Sequence, residues 1–396
     1  MNTNPSKYKV LFLSRWYPHK NDPMYGIFVQ RHAEAVGLYC EVAVLYVQED
    51  INLKGKEFEI SQFELNGIET IIIYYKKRPG FLGFGKVFNV LNFLKAYYIG
   101  WKIIKKQNFK PDIIHVNILA RTGLIALYLK ITKKIPYIIT EHWSKYFDNS
   151  GSYSGFLRKL ITKFVVNKAN AITTVTLHLM EAMKTNKLKN NNYFVIPNVV
   201  DVDKFFPSEN TKKITKIRIL HVSCFEEASK NIAGIIRSVQ KLSLKRQDFE
   251  LRLVGDGIDK KRLENYAQEL GVKDTFVFFD GLLEGQALID FFNSADFLVL
   301  FSNYENLPVI MVEAFACGLP VLSTNVGGIK EHLNEERGIL IEAGDENAFI
   351  EKLDFMLSNY SSYNPHKIRA YAVDNFSEKV IGKSFFTIYD NVLNSK

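Results

Sequence analysis

Short β-branched apolar runs alternate with longer stretches of helical spacing along this chain, and the alternation starts twice. That rhythm is the tightest constraint on the fold. A strand followed by a helix and a further strand reads as a parallel sheet with helices on its faces. In the first half, residues 9–14, 41–47, 112–116 and 137–140 read as strands, and residues 28–37 carry a helical pattern behind the first of them. A proline-bearing polar stretch from Ile196-Pro197-Asn198 to Phe206-Pro207 interrupts the pattern. Strand-like runs then return at residues 217–222, 250–254, 275–279, 297–301 and 320–323. The expectation is an α/β chain of two doubly wound Rossmann-like domains, 1–203 and 204–375, followed by a last helical segment at 376–396. A length of 396 residues suits two cores better than one.

Charge is distributed unevenly over these halves. Residues 1–200 hold 28 Lys/Arg against 13 Asp/Glu, a balance of +15, and the remainder carries −6. A basic first domain favours an anionic partner such as membrane headgroups or a lipid-phosphate acceptor. Cys40, Cys224 and Cys317 are odd in number and far apart, which suits free thiols in a reducing cytoplasm. The start reads as polar residues running into a strand and not as a secretory signal, and no apolar run reaches about 18 residues, so no spanning helix is expected. Asp201-Val202-Asp203 falls in the linker, away from any strand end that could build a metal cavity around it, so no metal site is expected.

The most informative stretch follows the strand at 297–301. Asn303-Tyr-Glu-Asn-Leu-Pro308 forms a loop, and a helical pattern then runs through Cys317. Pro308 suits a first helical turn, and the backbone N–H groups of Asn306 and Leu307 would point from the helix start toward an anion. Open α/β sheets bind ligands at such carboxyl strand ends. Glu305 on the loop could accept hydrogen bonds from sugar hydroxyls, and Glu313 in the helix could take a vicinal diol of a ribose.

Taken together, Ser302-x-x-Glu305-x-Leu307-Pro308-x-x-Met311-Val-Glu313-Ala-Phe-Ala-Cys-Gly318-x-Pro320 with Gly327-Gly328-x-x-Glu331 resembles the signature of the family-four retaining glycosyltransferases of the GT-B fold. Seven residues separate the two glutamates, as in that family. Leu253-Val-Gly255-Asp256-Gly257, Phe278-Phe-Asp-Gly281 and Ser294-Ala-Asp296 extend the resemblance, as does the linker from Ile196 to Phe205. It implies two domains facing across a cleft, with the final helix crossing back to the first. It implies a nucleoside-diphosphate-sugar donor, bound through Glu313, Asn306, Leu307, Gly26, Gly255 and Leu282, with Glu305, Lys230 and His142 as the catalytic set. Lys230 matches the family lysine that holds the donor diphosphate, but the partner arginine is replaced by Cys224, which cannot form a bidentate charged clamp. Arg15 and Arg31 are candidate substitutes from the first domain. The loop from Trp16 to Phe28 resembles the family glycine loop, and His142 matches a histidine lining the acceptor side. His115 reads as a packed strand residue.

The reading reached from these residues is retaining transfer of a sugar to a hydroxyl of a glycan or lipid-linked acceptor, without a metal and without nucleic acid. The enzyme would be cytoplasmic. Phe81-Leu-Gly-Phe-Gly and the basic, aromatic helix at 86–106 would offer a peripheral contact with the inner face of the membrane. A nucleotide-sugar epimerase of the same fold and a catalytically weak donor-binding relative remain as alternatives.

Overall fold

The structure, a computed structural model, describes residues 8–53, 55–78, 84–119, 121–147, 153–208 and 215–395. Residues 1–7 and Phe81, Leu82 and Gly83 of the expected membrane segment lie outside these. The chain divides into two compact units. One comprises Met1–Val199 together with Glu378–Lys396, and the other Val200–Ser377.

The first unit runs β1 (Lys9–Ser14), α1 (Ile27–Gly37), β2 (Glu41–Asp50), β3 (Phe58–Leu65), β4 (Ile68–Lys76), α2 (Phe84–Lys106), β5 (Ile113–Asn117), α3 (Thr122–Lys133), β6 (Tyr137–Glu141), α4 (Phe156–Lys168), β7 (Ala171–Thr174), α5 (Leu177–Thr185) and β8 (Tyr193–Val195). Its eight strands lie in the order β3-β4-β2-β1-β5-β6-β7-β8. All neighbours are parallel except β3 and β4, an antiparallel hairpin at the edge. The hairpin turns on Asn66 and Gly67, both at positive φ, as a two-residue turn requires if it is to match strand twist.

The second unit runs β9 (Ile217–Val222), α6 (Glu227–Lys230), α7 (Ile232–Ser243), β10 (Phe249–Val254), α8 (Lys260–Glu269), β11 (Val277–Gly281), α9 (Gly285–Ser294), β12 (Phe297–Leu300), α10 (Val309–Ala316), β13 (Val321–Thr324), β14 (Gly338–Ile341), α11 (Glu346–Asn359) and α12 (Pro365–Phe376). Its six strands are all parallel, in the order β11-β10-β9-β12-β13-β14. The chain moves outward one way from β9 and returns to add β12 on its other side. That reversal opens a crevice at the carboxyl ends of β9 and β12, the usual ligand position in such sheets. The core packs Ile235 and Val239 of α7 and Phe349 and Leu353 of α11 against Leu251, Leu253 and Val299 of the strands.

The expected final helix from Phe376 is broken. Phe376 closes α12, Ser377 takes an extended conformation (φ −65°, ψ 152°), and α13 (Glu378–Asn394) starts afresh. Ile381, Phe385 and Tyr389 of α13 are buried in the first unit's core with Phe12, Val29 and Val44. Burying side chains of this size contributes roughly 1.5–3 kcal/mol each. Gly382 lies against α1, where a Cβ would sit 2.0 Å from the Ala35 carbonyl oxygen.

Candidate functional site: the β9–β12 crevice

The loops after β9 and β12 carry the residues singled out in the sequence, and the structure stitches them together. The Asn303 N–H donates to the Ser229 carbonyl at 2.8 Å, and its side-chain amide to the Ala228 carbonyl at 3.0 Å. These bonds bring the end of α6 against the loop that leads to α10. Lys230, the last residue of α6, then donates from Nζ to Glu305 Oε1 at 2.5 Å. Ser302 Oγ donates to the same oxygen at 2.8 Å. Only 9% of the Glu305 side chain and 17% of that of Lys230 remain accessible, so solvent screens the pair little. Burial alone would push the Lys230 ammonium toward neutrality, but the Glu305 carboxylate outweighs it and the net displacement is upward. Lys230 therefore stays a cation across the physiological range.

The loop is backed by the turn after β13. The Gly328 N–H donates to the Asn306 carbonyl at 2.8 Å. Gly327 has φ +58°, and a Cβ there would stand 2.0 Å from the Glu305 carbonyl oxygen. Only glycine permits both the left-handed backbone and that approach. The Gly327-Gly328 pair thus supports the glutamate loop from behind.

Helix α10 begins at Val309, with Pro308 as an extended N-cap, so Pro308 precedes the first turn instead of belonging to it. Asn306 and Leu307 consequently belong to the loop before the helix, and Leu307 is buried. Glu313 sits within α10 and is 5% exposed. The helix ends at Ala316 with Cys317 as its cap.

Cys224 is exposed at the mouth of the β9 loop, near enough to add to the electrostatic field at Lys230. Its loop is fastened to the segment after β10. The Phe225 N–H donates to the Asp256 carbonyl at 2.8 Å, and the Glu227 N–H to Asp259 Oδ2 at 2.8 Å. A Cβ on Gly255 would fall 1.9 Å from the Ser223 carbonyl oxygen, so Gly255 is small because the Cys224 loop lies on it. Leu282, just beyond β11, is 61% exposed.

The first-unit residues are placed as follows. Gly26 (φ +71°) precedes α1 and packs on the Trp16–Tyr17 backbone, 2.5 Å from a built Cβ, which already accounts for a glycine there. His142 follows β6 and is 8% exposed, with its ring centroid 4.6 Å from Phe28 and 5.2 Å from His32. Burial pushes its pKa well below the ordinary histidine range, reinforced by His32 and His115. It is a neutral imidazole near pH 7, able to hydrogen-bond but not to carry charge. His115 is fully buried in β5, bonded to the Tyr389 hydroxyl at 2.7 Å and to Thr140 Oγ1 at 2.5 Å, as a packed strand residue should be. Asp201 of the linker pair bonds the Lys204 ammonium at 2.7 Å. Among the described residues no group of three His, Cys, Asp or Glu is arranged to hold a metal.

Sequence reasoning missed the contact between Lys230 and Glu305, having given them separate ligands, and it gave Ser302 no role. The serine lies in the same motif three residues before the glutamate, and that spacing was the available signal.

Two family models match the chain. Residues 202–373 match "Glycosyl transferases group 1", and residues 41–204 match "Glycosyltransferase Family 4". The chain is a glycosyltransferase, with a group 1 domain at 202–373 and a family 4 domain at 41–204. Like its family it is an α/β enzyme of the GT-B fold, built from two parallel-sheet Rossmann-like domains. Among relatives of this glycosyltransferase, TuaC of Bacillus subtilis, assigned to teichuronic acid biosynthesis, is 22% identical over 371 residues, 87% of this chain and 88% of that one. The N-acetyl-alpha-D-glucosaminyl L-malate synthase of Bacillus anthracis is 24% identical over 307 residues, covering 74% and 77%. HepE of Anabaena, solved with UDP-glucose, superposes with a TM-score of 0.69 at 16% identity over 98% of this chain and 100% of its own.

Proposed function

We propose that this glycosyltransferase moves a sugar, with retention at its anomeric carbon, from a nucleoside-diphosphate donor to a hydroxyl of a glycan or lipid-linked acceptor in polysaccharide or glycolipid assembly. The observation that carries the reading is the Lys230–Glu305–Ser302 cluster at the β9–β12 crevice. It sets a permanent cation beside a carboxylate held in one orientation. Lys230 would neutralise charge developing on the departing diphosphate, where a preorganised donor in a water-poor site is most effective. Glu305 would orient the sugar and Glu313 the ribose, with Asn306, Leu307, Gly255 and Leu282 along the donor. To the first unit the reading assigns Gly26 as a backbone approach to the diphosphate and His142 as a neutral contact for the sugar or acceptor. The leaving phosphate would help deprotonate the acceptor hydroxyl. TuaC, by its name, and HepE, by its bound UDP-glucose, are consistent with this donor and acceptor class.

Incubation with a panel of UDP-, GDP- and other nucleotide sugars tests it. Slow donor hydrolysis without acceptor supports the transferase. Acceptor-free isomerisation would mark an epimerase, and binding without turnover an inactive relative. Lys230, in place of a metal, is proposed to hold the diphosphate, so EDTA should leave turnover unchanged.

A peripheral contact with an anionic membrane belongs to the same reading. Right-handed crossovers place α2, α3 and α4 on the sheet face opposite α1 and α13. The three helices contain no Asp or Glu. Phe156 (84%), Leu157 (66%), Tyr128 (62%) and Val87 (59%) are exposed on them, beside Arg158, Lys159 and Lys163. Apolar side chains interleaved with cations suit an anionic headgroup surface. No helix among the described residues is long and apolar enough to cross a membrane. Co-sedimentation with phosphatidylglycerol vesicles, and its loss with pure phosphatidylcholine, reads this contact.

A further inference from the structure

The first unit has a concavity lined by none of the residues that the proposed function assigns to the donor. It lies at the carboxyl ends of β1, β2, β4 and β5, beside the point where the chain reverses direction across the sheet. Its volume is about 230 Å³. That is below the ~300–1,000 Å³ of a drug-sized pocket and suits something nearer one sugar ring. Tyr25, Tyr75 and Tyr97 wall it, and Arg15 and Arg121 enter it from the ends of β1 and of the β5–α3 loop.

The charges in this pocket do not balance. Its one carboxylate, Glu49, is already held, by Lys77 Nζ at 2.6 Å and by the Tyr75 hydroxyl. Neither arginine has a carboxylate or hydrogen-bond acceptor for its guanidinium among the described residues. Each instead stacks on a ring. The Arg15 guanidinium lies 5.2 Å from the Trp143 centroid, and that of Arg121 lies 5.8 Å from Phe93. The Arg15 Nε–H is buried and has no hydrogen-bond partner among the described residues. A buried donor without an acceptor costs about 1–3 kcal/mol, more when charged, so such a group is retained where a ligand completes it. Both guanidiniums sit over aromatic rings, and a planar fork is the geometry that grips a carboxylate or phosphate through two parallel bonds.

Resting on the transferase reading above, we propose that this pocket selects an acidic acceptor: a sugar bearing a carboxylate or a phosphate, its anion held by Arg15 and Arg121 and its ring against Tyr25, Tyr75 and Tyr97. Neutral sugars of the same size lack the group that the two guanidiniums require. The basic balance of the first half of the chain would draw such an acceptor in.

Calorimetric titration of the full-length protein with methyl glucuronide, glucose 1-phosphate and methyl glucoside tests this without requiring turnover. At least one acidic sugar should bind tenfold or more tightly than methyl glucoside, and comparison of the two separates carboxylate from phosphate. Arg121→Gln, at an exposed position whose side chain makes no capping bond to α3, should erase that preference. Arg15→Lys, which keeps the charge but loses the fork, should weaken it severalfold. Titration with UDP should give the same affinity in wild type and Arg121→Gln. Equal binding of acidic and neutral sugars, no binding of either acid at millimolar concentration, or a preference that survives Arg121→Gln overturns the proposal. So does a parallel loss of UDP affinity, which would move the arginines to the donor. Absence of donor hydrolysis with the acid preference intact would overturn the transferase reading and leave the anion site standing.

Discussion

Lys230 and Glu305, 75 positions apart in the chain, meet in a 2.5 Å ion pair whose carboxylate is also fixed by Ser302. Each residue therefore restrains the other before any donor arrives. Removing one partner leaves the second charge largely buried and uncompensated, which costs several kcal/mol in a fully buried setting. Glu305→Gln and Lys230→Ala should each lower donor turnover by about 10²-fold or more, the scale of losing one preorganised charge-stabilising group. The double variant should lose much less than the product of the two. A double-mutant cycle on the donor-hydrolysis rate measures the coupling, and strict additivity would show that the two act on separate ligands.

The thiols should differ sharply in reactivity. Cys224 is exposed, whereas Cys40 and Cys317 are buried and burial pushes both up to about 12. A thiol reagent at pH 8 should label one cysteine in a fast phase that disappears in Cys224→Ser. Because Cys224 neighbours Lys230, saturating UDP should slow that phase. Unchanged labelling with the nucleotide bound would place the diphosphate elsewhere.

Acid should destabilise both units. His32 in the first and His221 in the second are held down to about 4, in each case chiefly by burial, which the carbonyls of Pro197 and Val299 only partly offset. The unfolded chain regains ordinary histidines near 6.5 and so binds more protons between pH 4 and 6.5. Stability is full above 6.5 and falls as pH drops through this window, by roughly 3 kcal/mol for each histidine. Urea unfolding at pH 7, 6 and 5 reads the slope, and His32→Gln should flatten it while lowering the plateau.

Gly327→Ala and Gly344→Ala separate backbone strain from collision. Both positions have positive φ, but a Cβ at Gly344 meets nothing within 4 Å while one at Gly327 strikes the Glu305 carbonyl. Gly344→Ala should cost only the left-handed penalty of about 1–2 kcal/mol. Gly327→Ala should lower the melting temperature further and also weaken donor binding, because it displaces Glu305. Equal effects on both readouts would sever the Gly327 turn from the site.

The sequence disclosed the fold where burial was complete. β1, β5, β9, β12 and β13 are flanked by neighbours on both sides, and their near-continuous apolar runs stand out. β3 escaped because it is an edge strand with polar and exposed positions, and β4 escaped with it, although Asn66-Gly67 between them is a recognisable hairpin turn. β7, β8 and β14 are three or four residues long, too short to show a period. β11 lies two residues later than residues 275–279 suggest, since Thr275 and Phe276 are taken up by a turn bonded back to Val272. The donor glutamates and Lys230 were legible as a pattern, but the bond joining them was not, because it depends on Asn303 tying one loop to the other. The unbalanced pocket at Arg15 and Arg121 left no trace in the spacing of residues separated by four strands.

Tyr389 bonds His115 from the far end of the chain, and α13 supplies Ile381 and Phe385 to a core whose other buried members end at Val199. The unit that starts first during synthesis therefore cannot finish first. Residues 200–377 form a continuous unit able to close as they leave the ribosome, while the earlier half waits with part of its apolar face uncovered. Premature termination just after Ser377 would injure the opening domain and spare the one nearest the truncation, the reverse of what position along a polypeptide ordinarily implies.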